Sequence, residues 1–281
     1  MGNLVKDRWG KIWEKAPCSI PGVRSFLKNY NKRLDPALFL APNMDLTLRA
    51  ISGAGDSSAG PDGIPFEAYR TLLGFAAPLL QALLNHCVQG LPLPPEFNFG
   101  LLHLIPKTQT LLPLDTRPIT VNNSDNRILA RILVMCITPA IQAFISPEQK
   151  LFVPGRIMTE LVFDINELYF SHLSKKQQYF ILFIDTRKAF DSIHHDFLFE
   201  LLDHIRCPPW FFNAVKALLT LVMVSPVLAN LATLLIPIPR GLKQGCPLSP
   251  ILFVICFDIL LTYIASRFPD TSTFAAADDL A

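Results

Sequence analysis

The segment Tyr179–Asp185, YFILFID, is apolar at nearly every position and ends on an acid. An apolar run without alternation predicts a strand buried on both faces, with a carboxylate at its tip. Asp191 or Ser192 can then cap a helix that continues through Phe197, Leu201 and Ile205. Arg240–Gly245, RGLKQG, is a polar loop bounded by glycines, and Pro247 and Pro250 open a long apolar helix predicted to end near Phe268. The chain closes on a short run, Thr273–Ala277, followed by Asp278–Asp279. Strands tipped by acids, separated by helices, make the chain α+β.

The first half carries weaker signals of the same kind. Ser52–Gly63, SGAGDSSAGPDG, is loop chemistry, and Phe66–Val88 reads as helix divided at Pro78. Leu91–Pro95 is a stiff connector, and Phe97–Lys107 has the apolar content of a strand ending in a base. Asp125–Ile137 and Asp164–Leu173 have helical spacing, the first with Arg127 and Arg131 on its polar side. Ala217–Pro239 has no charge and is long enough to span a bilayer. Pro226, Pro237 and Pro239, with Ser225 and Asn230, favour two strands and a turn over a transmembrane helix, which stays the minority reading, and no membrane is expected. Three regions follow: 1–51, a basic segment or linker; 52–178; and 179–281, which holds the acids.

Composition narrows the class. Charged residues are 17% and apolar ones 51%, which excludes global disorder. Six cysteines (Cys18, Cys87, Cys136, Cys207, Cys246 and Cys256) include no C-x-x-C pair, against a zinc module or disulfide framework. That usage suits a reducing compartment, and the first twenty residues lack a secretory apolar core, so an intracellular place, nucleus or cytoplasm, is expected. Lys6 stands where a myristoylation signal needs Ser or Thr. Residues 1–33 carry eight Lys or Arg against two acids, with Trp9, Trp13 and Tyr30 among them. Such a mixture can hold phosphate and stack on bases, or form a solvated amphipathic helix.

If the strands ending at Asp185 and before Asp278–Asp279 lie side by side, three carboxylates converge. Clustered carboxylates stay ionised together when hard cations neutralise them, and oxygen-only ligands favour Mg²⁺ or Mn²⁺. Two such ions about 3.5–4 Å apart serve nucleotidyl transfer. Aspartates at strand ends more often cap turns. His194–His195 has no partner at metal spacing and reads as polar surface, and Asp191 as a helix cap.

The order FILFIDTRKAFDSIHHDFL, RGLKQGCPLSPILF, AAADD resembles the successive palm motifs of reverse transcriptases, in the version found in non-LTR (LINE-type) retrotransposons. Upstream, SSAGPDGIPFEAY, LLHLIPK, TRPITVNNSDNRILARIL and LFVPGR resemble that family's finger motifs, so the likeness covers residues 52–281. It implies a right-hand polymerase fold with fingers-like residues 52–178 and a palm at 179–281. It also implies two Mg²⁺ or Mn²⁺ ions, held by Asp185 and Asp278 with Asp279 completing the acidic set and the Thr186 carbonyl adding a ligand. Phe190 matches the steric gate against a ribose 2′-OH. Lys107 and Arg117 match the bases that grip the incoming triphosphate, and Gln244 and Gly245 the loop under the nascent base pair. The partners implied are an RNA template, a DNA primer and dNTPs, and the reaction is dNTP addition to a primer 3′-OH with release of pyrophosphate.

Two departures bear on that expectation. The family's aromatic residue two positions before the first Asp of the last motif is Ala276 here, which weakens positioning of the attacking hydroxyl, and misplacement can cost on the order of 100-fold. Only Leu280 and Ala281 follow the acids, so the palm reads as incomplete, its return strand missing and its thumb absent. The carboxylates are then expected on a fraying end, with little activity in the isolated chain. The alternative is a non-catalytic nucleic-acid-binding remnant of a retroelement. A degenerate product that folds poorly, an RNA-templated RNA polymerase and a group II intron-type enzyme are further readings.

Overall fold

The computed structural model describes residues 2–107, 109, 112, 115–175, 180–228, 231–232 and 234–280. In chain order the elements are α1 (Gly2–Trp13), α2 (Ile20–Leu27), α3 (Met44–Ser52), α4 (Phe66–Thr71), α5 (Leu73–Val88), β1 (Phe99–Pro106) and β2 (Thr116–Asn122). There follow α6 (Ser124–Phe144), α7 (Met158–Ser174), β3 (Ile184–Asp185), α8 (Ala189–Ser192), α9 (His195–His204) and α10 (Pro209–Leu219). The last are β4 (Met223–Leu228), β5 (Leu231–Ala232), β6 (Ile236–Pro237), α11 (Ser249–Arg267), β7 (Ala275–Ala276) and β8 (Asp279–Leu280). The molecule is a mixed α/β chain with two separate sheets.

The larger sheet runs β2–β1–β4–β5, with β6 also paired to β4. β1 and β2 are antiparallel, pairing Gly100 with Asn122 and Pro106 with Thr116, while β1 and β4 are parallel. The uncharged segment 217–239 thus ends α10 and supplies β4, β5 and β6; its residues 229, 230 and 233 lie outside the described ones. α6 and α11 are long and apolar enough to cross a bilayer by length and composition, and 61% of that stretch is buried inside the fold in each. Ile128, Leu129, Ile132 and Leu133 of α6 join Leu252, Phe253 and Ile255 of α11 in the main core, together with α5, α9 and α10.

The smaller sheet runs β3–β8–β7. Its first strand departs from expectation. Only Ile184 and Asp185 are strand, because β8 offers two residues to pair with, and the preceding apolar residues are exposed rather than buried. Phe180 is 98% and Phe183 72% accessible. Tyr179 of the predicted run lies outside the described residues.

The basic N-terminal segment is not a linker. Val5, Trp9 and Trp13, spaced to share one helix face, form a second core with Leu102 of β1, Val222 and Val224 at β4, and Ile236 and Ile238. Trp9 and Trp13 are 0% and 2% exposed, so neither indole is free to stack on a base. α2 packs on α9, where Arg24 makes two hydrogen bonds to Glu200 at 2.6 and 3.0 Å. Asp258, fully buried in α11, accepts from the Tyr30 hydroxyl and the Lys32 ammonium at 2.6 Å and from the Ser146 N–H at 2.7 Å. A buried carboxylate needs such partners, and here two of them come from the N-terminal segment.

Two further expectations shift. The break in Phe66–Val88 falls at Leu72, whose carbonyl accepts from Phe75 and Ala76, and Pro78 sits inside α5. α9 begins after His194 with no side-chain cap; Asp191 and Ser192 lie in α8, and the Ser192 hydroxyl donates to the Lys188 carbonyl.

Candidate active site

The acids at the end of the chain are held, not frayed. β7 and β8 form a hairpin, Ala275 opposite Leu280 and Ala276 opposite Asp279, and β8 pairs on its other edge with β3, Asp185 opposite Asp279. Asp279 and Leu280 are therefore the return strand that the sequence reading finds missing. The turn between the strands needs a left-handed residue, and Ala277 adopts it at φ 57°. Gln149, fully buried, clamps it: its side-chain oxygen accepts from the Ala277 N–H at 2.8 Å, and its amide nitrogen donates to the Ala277 carbonyl at 3.0 Å. The Lys150 N–H donates to the Ala275 carbonyl at 2.9 Å and extends the support.

This brings Asp185 and Asp278 onto the wall of one open cavity of about 650 Å³. Burial, then the like charges of Asp279 and Asp185, push the Asp278 carboxyl above the usual range, and Lys107 partly offsets them. Asp279 is exposed and does not line the cavity. Among the described residues no three His, Cys, Asp or Glu side chains form a preformed metal cluster, and of the three acids Asp185 and Asp278 line the cavity while Asp279 lies opposite Asp185 across the β3–β8 pairing. The pair suits a hard cation: its donors are all oxygen, its charges repel, and Mg²⁺ is usually held by one or two carboxylates with water and phosphate oxygens completing the shell.

The β1–β2 hairpin supplies the bases. Arg117 lies opposite Ile105 in register, and the Lys107 N–H donates to the Asp115 carbonyl at 2.8 Å, so both side chains reach the cavity from the hairpin's end. Thr186, Arg187 and Lys188 follow Asp185 along the same wall. Lys188 is left-handed at φ 54°, and its ammonium lies 3.9 Å from the centre of the Trp9 ring. Phe190 lines the cavity while stacking on Phe253 at 4.4 Å, so it is at once a wall residue and part of the core.

The loop 240–245 forms the floor. The Thr120 N–H donates to the Gln244 carbonyl at 2.6 Å. Gly245, at φ 114°, lies so close to β2 that an added Cβ would come within 2.4 Å of the Thr120 carbonyl oxygen. No other residue fits there. Lys243 is buried beside it, and burial pushes its ammonium below the usual lysine range.

Two residues read as cap or surface are neither. Asp191 is 3% exposed; it accepts from the Trp13 indole N–H at 3.0 Å and from the Gln244 amide at 3.2 Å. Burial pushes its carboxyl up, and the Trp13 hydrogen bond, Lys188 and Gln244 counter that. His195 is buried, its Nε2 2.8 Å from the Gly241 carbonyl. Sequence reasoning also missed Trp13 and Gln149. The i, i+4, i+8 spacing of Val5, Trp9 and Trp13 was a legible sign of a buried face; nothing local marks Gln149.

Comparison with known proteins agrees with this geometry. Residues 105–281 match the family described as reverse transcriptase (RNA-dependent DNA polymerase). The chain is 31% identical over 225 residues to a Pol polyprotein of the type-1 retrotransposable element R2 from Popillia japonica, covering 77% of this chain and 30% of that protein. It is 31% identical over 242 residues to the polyprotein of the type-2 element R2DM from Drosophila melanogaster, 83% of this chain and 22% of that one. The transposon TX1 149 kDa protein of Xenopus laevis is 26% identical over 215 residues, 75% of this chain and 16% of the relative. The chain thus spans less than a third of the length of these relatives. With the family model matching more than half the chain, and with Asp185 and Asp278 lining one cavity with Lys107 and Arg117, the chain belongs to the reverse transcriptase family, as a reverse transcriptase domain of the LINE type.

Proposed function

We propose that this domain carries out RNA-templated DNA synthesis, with residues 52–178 acting as fingers and 179–281 as palm. The observation that carries the reading is that Asp185 on β3 and Asp278 in the β7–β8 turn share one cavity with Lys107 and Arg117. In the reaction a primer 3′-OH attacks the α-phosphorus of a dNTP, the α–β phosphoanhydride bond breaks, and pyrophosphate leaves. Asp185 and Asp278 would hold divalent cations, two by family resemblance, which supply activation of the attacking hydroxyl and neutralise phosphate charge. The Thr186 carbonyl would add a ligand, and Asp279 would hold the hairpin in register with Asp185.

Lys107 and Arg117 bind the triphosphate through charge-assisted hydrogen bonds, Arg117 in the two-pronged geometry that a guanidinium permits. Phe190, fixed by its stack on Phe253, excludes a 2′-hydroxyl and selects deoxynucleotides. Gln244 and Gly245 form the surface beneath the new base pair, where the lack of a Cβ allows the loop's close approach to β2. The test is extension of a DNA primer on an RNA template by the full chain. We expect Mg²⁺-dependent incorporation that disappears in Asp185→Asn while primer–template binding persists. Binding without incorporation in the unaltered chain, at any Mg²⁺ or Mn²⁺ concentration, would leave a nucleic-acid-binding domain instead.

A further inference from the structure

The side-chain amide of Gln244 is connected to the N-terminal helix through one buried carboxylate. Asp191 has two oxygens and each has one donor: Oδ1 accepts from Trp13 Nε1 at 3.0 Å, and Oδ2 from Gln244 Nε2 at 3.2 Å. Indole N–H is only a donor, and an ionised carboxylate is only an acceptor. Gln244 must therefore turn its NH₂ toward Asp191, which leaves its carbonyl oxygen as the end available to the cavity it lines. The loop that carries Gln244 is pinned in the same direction. The Leu242 N–H donates to the Phe190 carbonyl at 2.8 Å, the Gly241 N–H to the Ile193 carbonyl at 2.7 Å, and Arg240 Nη2 to the Ile12 carbonyl at 2.5 Å.

We infer that Asp191 and Trp13 are positioning residues that set the polarity of the Gln244 amide, so that this part of the cavity presents an acceptor. An acceptor there complements a hydroxyl or N–H donor on the sugar or base of a bound nucleotide and repels phosphate. The cavity is divided accordingly: Lys107 and Arg117 take the phosphates, and Gln244 reads a donor. The N-terminal helix, far from the acids in sequence, becomes part of the binding site through Trp13. This rests on the reading of the cavity as a nucleotide site, and the experiment separates the two.

Asp191→Asn is close to isosteric and makes an opposite demand. The single acceptor of Asn must serve the Trp13 N–H, so its NH₂ faces Gln244, whose amide must turn over and present NH₂ to the cavity. We expect the variant to fold, with the Trp13 indole N–H still protected from solvent exchange, while the Gln244 NH₂ protons, slow to exchange in the unaltered chain, become fast. With dTTP, Mg²⁺ and a primer–template duplex, nucleotide affinity should fall roughly tenfold, the scale of one misplaced hydrogen-bonding group. Gln244→Ala should lose a similar amount, and the double variant no more than Gln244→Ala alone, because Asp191 acts only through Gln244. Trp13→Phe should lose less than Asp191→Asn. Unchanged Gln244 NH₂ exchange in Asp191→Asn, or additive losses in the double variant, would overturn the inference. If the unaltered chain binds no dTTP, the nucleotide reading fails, and the NH₂ exchange still decides whether Asp191 sets the amide.

Discussion

The two sheets are built from similar apolar sequence and meet opposite fates. In the larger one, Leu102, Val224 and Ile236 are buried because α1 lays Val5, Trp9 and Trp13 across them. In the smaller one, Leu280, Ala275 and Ala277 are buried, but the residues leading into β3 stand in solvent. Phe180–Ile184 is as apolar as β4, yet its side chains stand exposed, and β8 pairs with only its last residue and Asp185. An apolar run marks a segment that fits a sheet; burial comes from the neighbour that covers it. The smaller sheet is therefore held at its turn, by Gln149 and by register, rather than by bulk.

That contrast can be broken by exchanging large for small side chains. Trp9→Ala should cost about 3–5 kcal/mol, as loss of a fully buried aromatic does, whereas Phe180→Ala should stay within about 0.5 kcal/mol. Urea unfolding of the two variants measures both, and comparable losses would erase the distinction. Gln149→Ala removes two hydrogen bonds from the β7–β8 turn and leaves the Ala277 N–H and carbonyl buried without them. A loss of about 1–3 kcal/mol is expected, and hydrogen exchange at Ala277 and Leu280 should speed up before exchange in β1 does. Ala277→Gly should do the reverse, relieving a left-handed alanine by about 1 kcal/mol, read as a higher melting temperature.

A further effect, read against pH, concerns charge beside the larger sheet. Burial, opposed by hydrogen bonds from the Asn126 and Asp125 backbone, raises the Asp125 carboxyl to about 6. Its folded pKa lies above its unfolded one, so the folded state holds the proton more tightly and stability falls as pH rises from about 4 to about 6. Asp125→Asn should flatten that slope in a series of melting curves; Asp191 and Asp278, shifted the same way, would leave part of it.

Much of the fold was legible in the sequence. Phe97–Lys107 supplies β1, and the helix opened by Pro247 and Pro250 is α11, ending at Arg267 with Phe268 as its C-cap, as expected. Asp185, Asp278, Lys107, Arg117, Thr186, Phe190, Gln244 and Gly245 line one cavity, and motif order was enough to group them. What the sequence did not carry was long-range polar pairing. Trp13 and Asp191 are 178 positions apart and Gln149 and Ala277 128, so neither pair leaves a local pattern. The same limit misread Asp191 as a cap and His195 as surface, since a partner across the fold decided both. The end of the chain was misread because two residues sufficed for a return strand once β3 and β7 flanked it.

In the proposed reading Asp185 on β3 and Asp278 in the β7–β8 turn act as one cation-holding pair. Mn²⁺ binding by the full chain, followed by electron paramagnetic resonance, measures this without requiring turnover. The account predicts that Asp185→Asn and Asp278→Asn each remove most of the binding and that the double variant loses little more. Mn²⁺ affinity left unchanged by both single substitutions would contradict it.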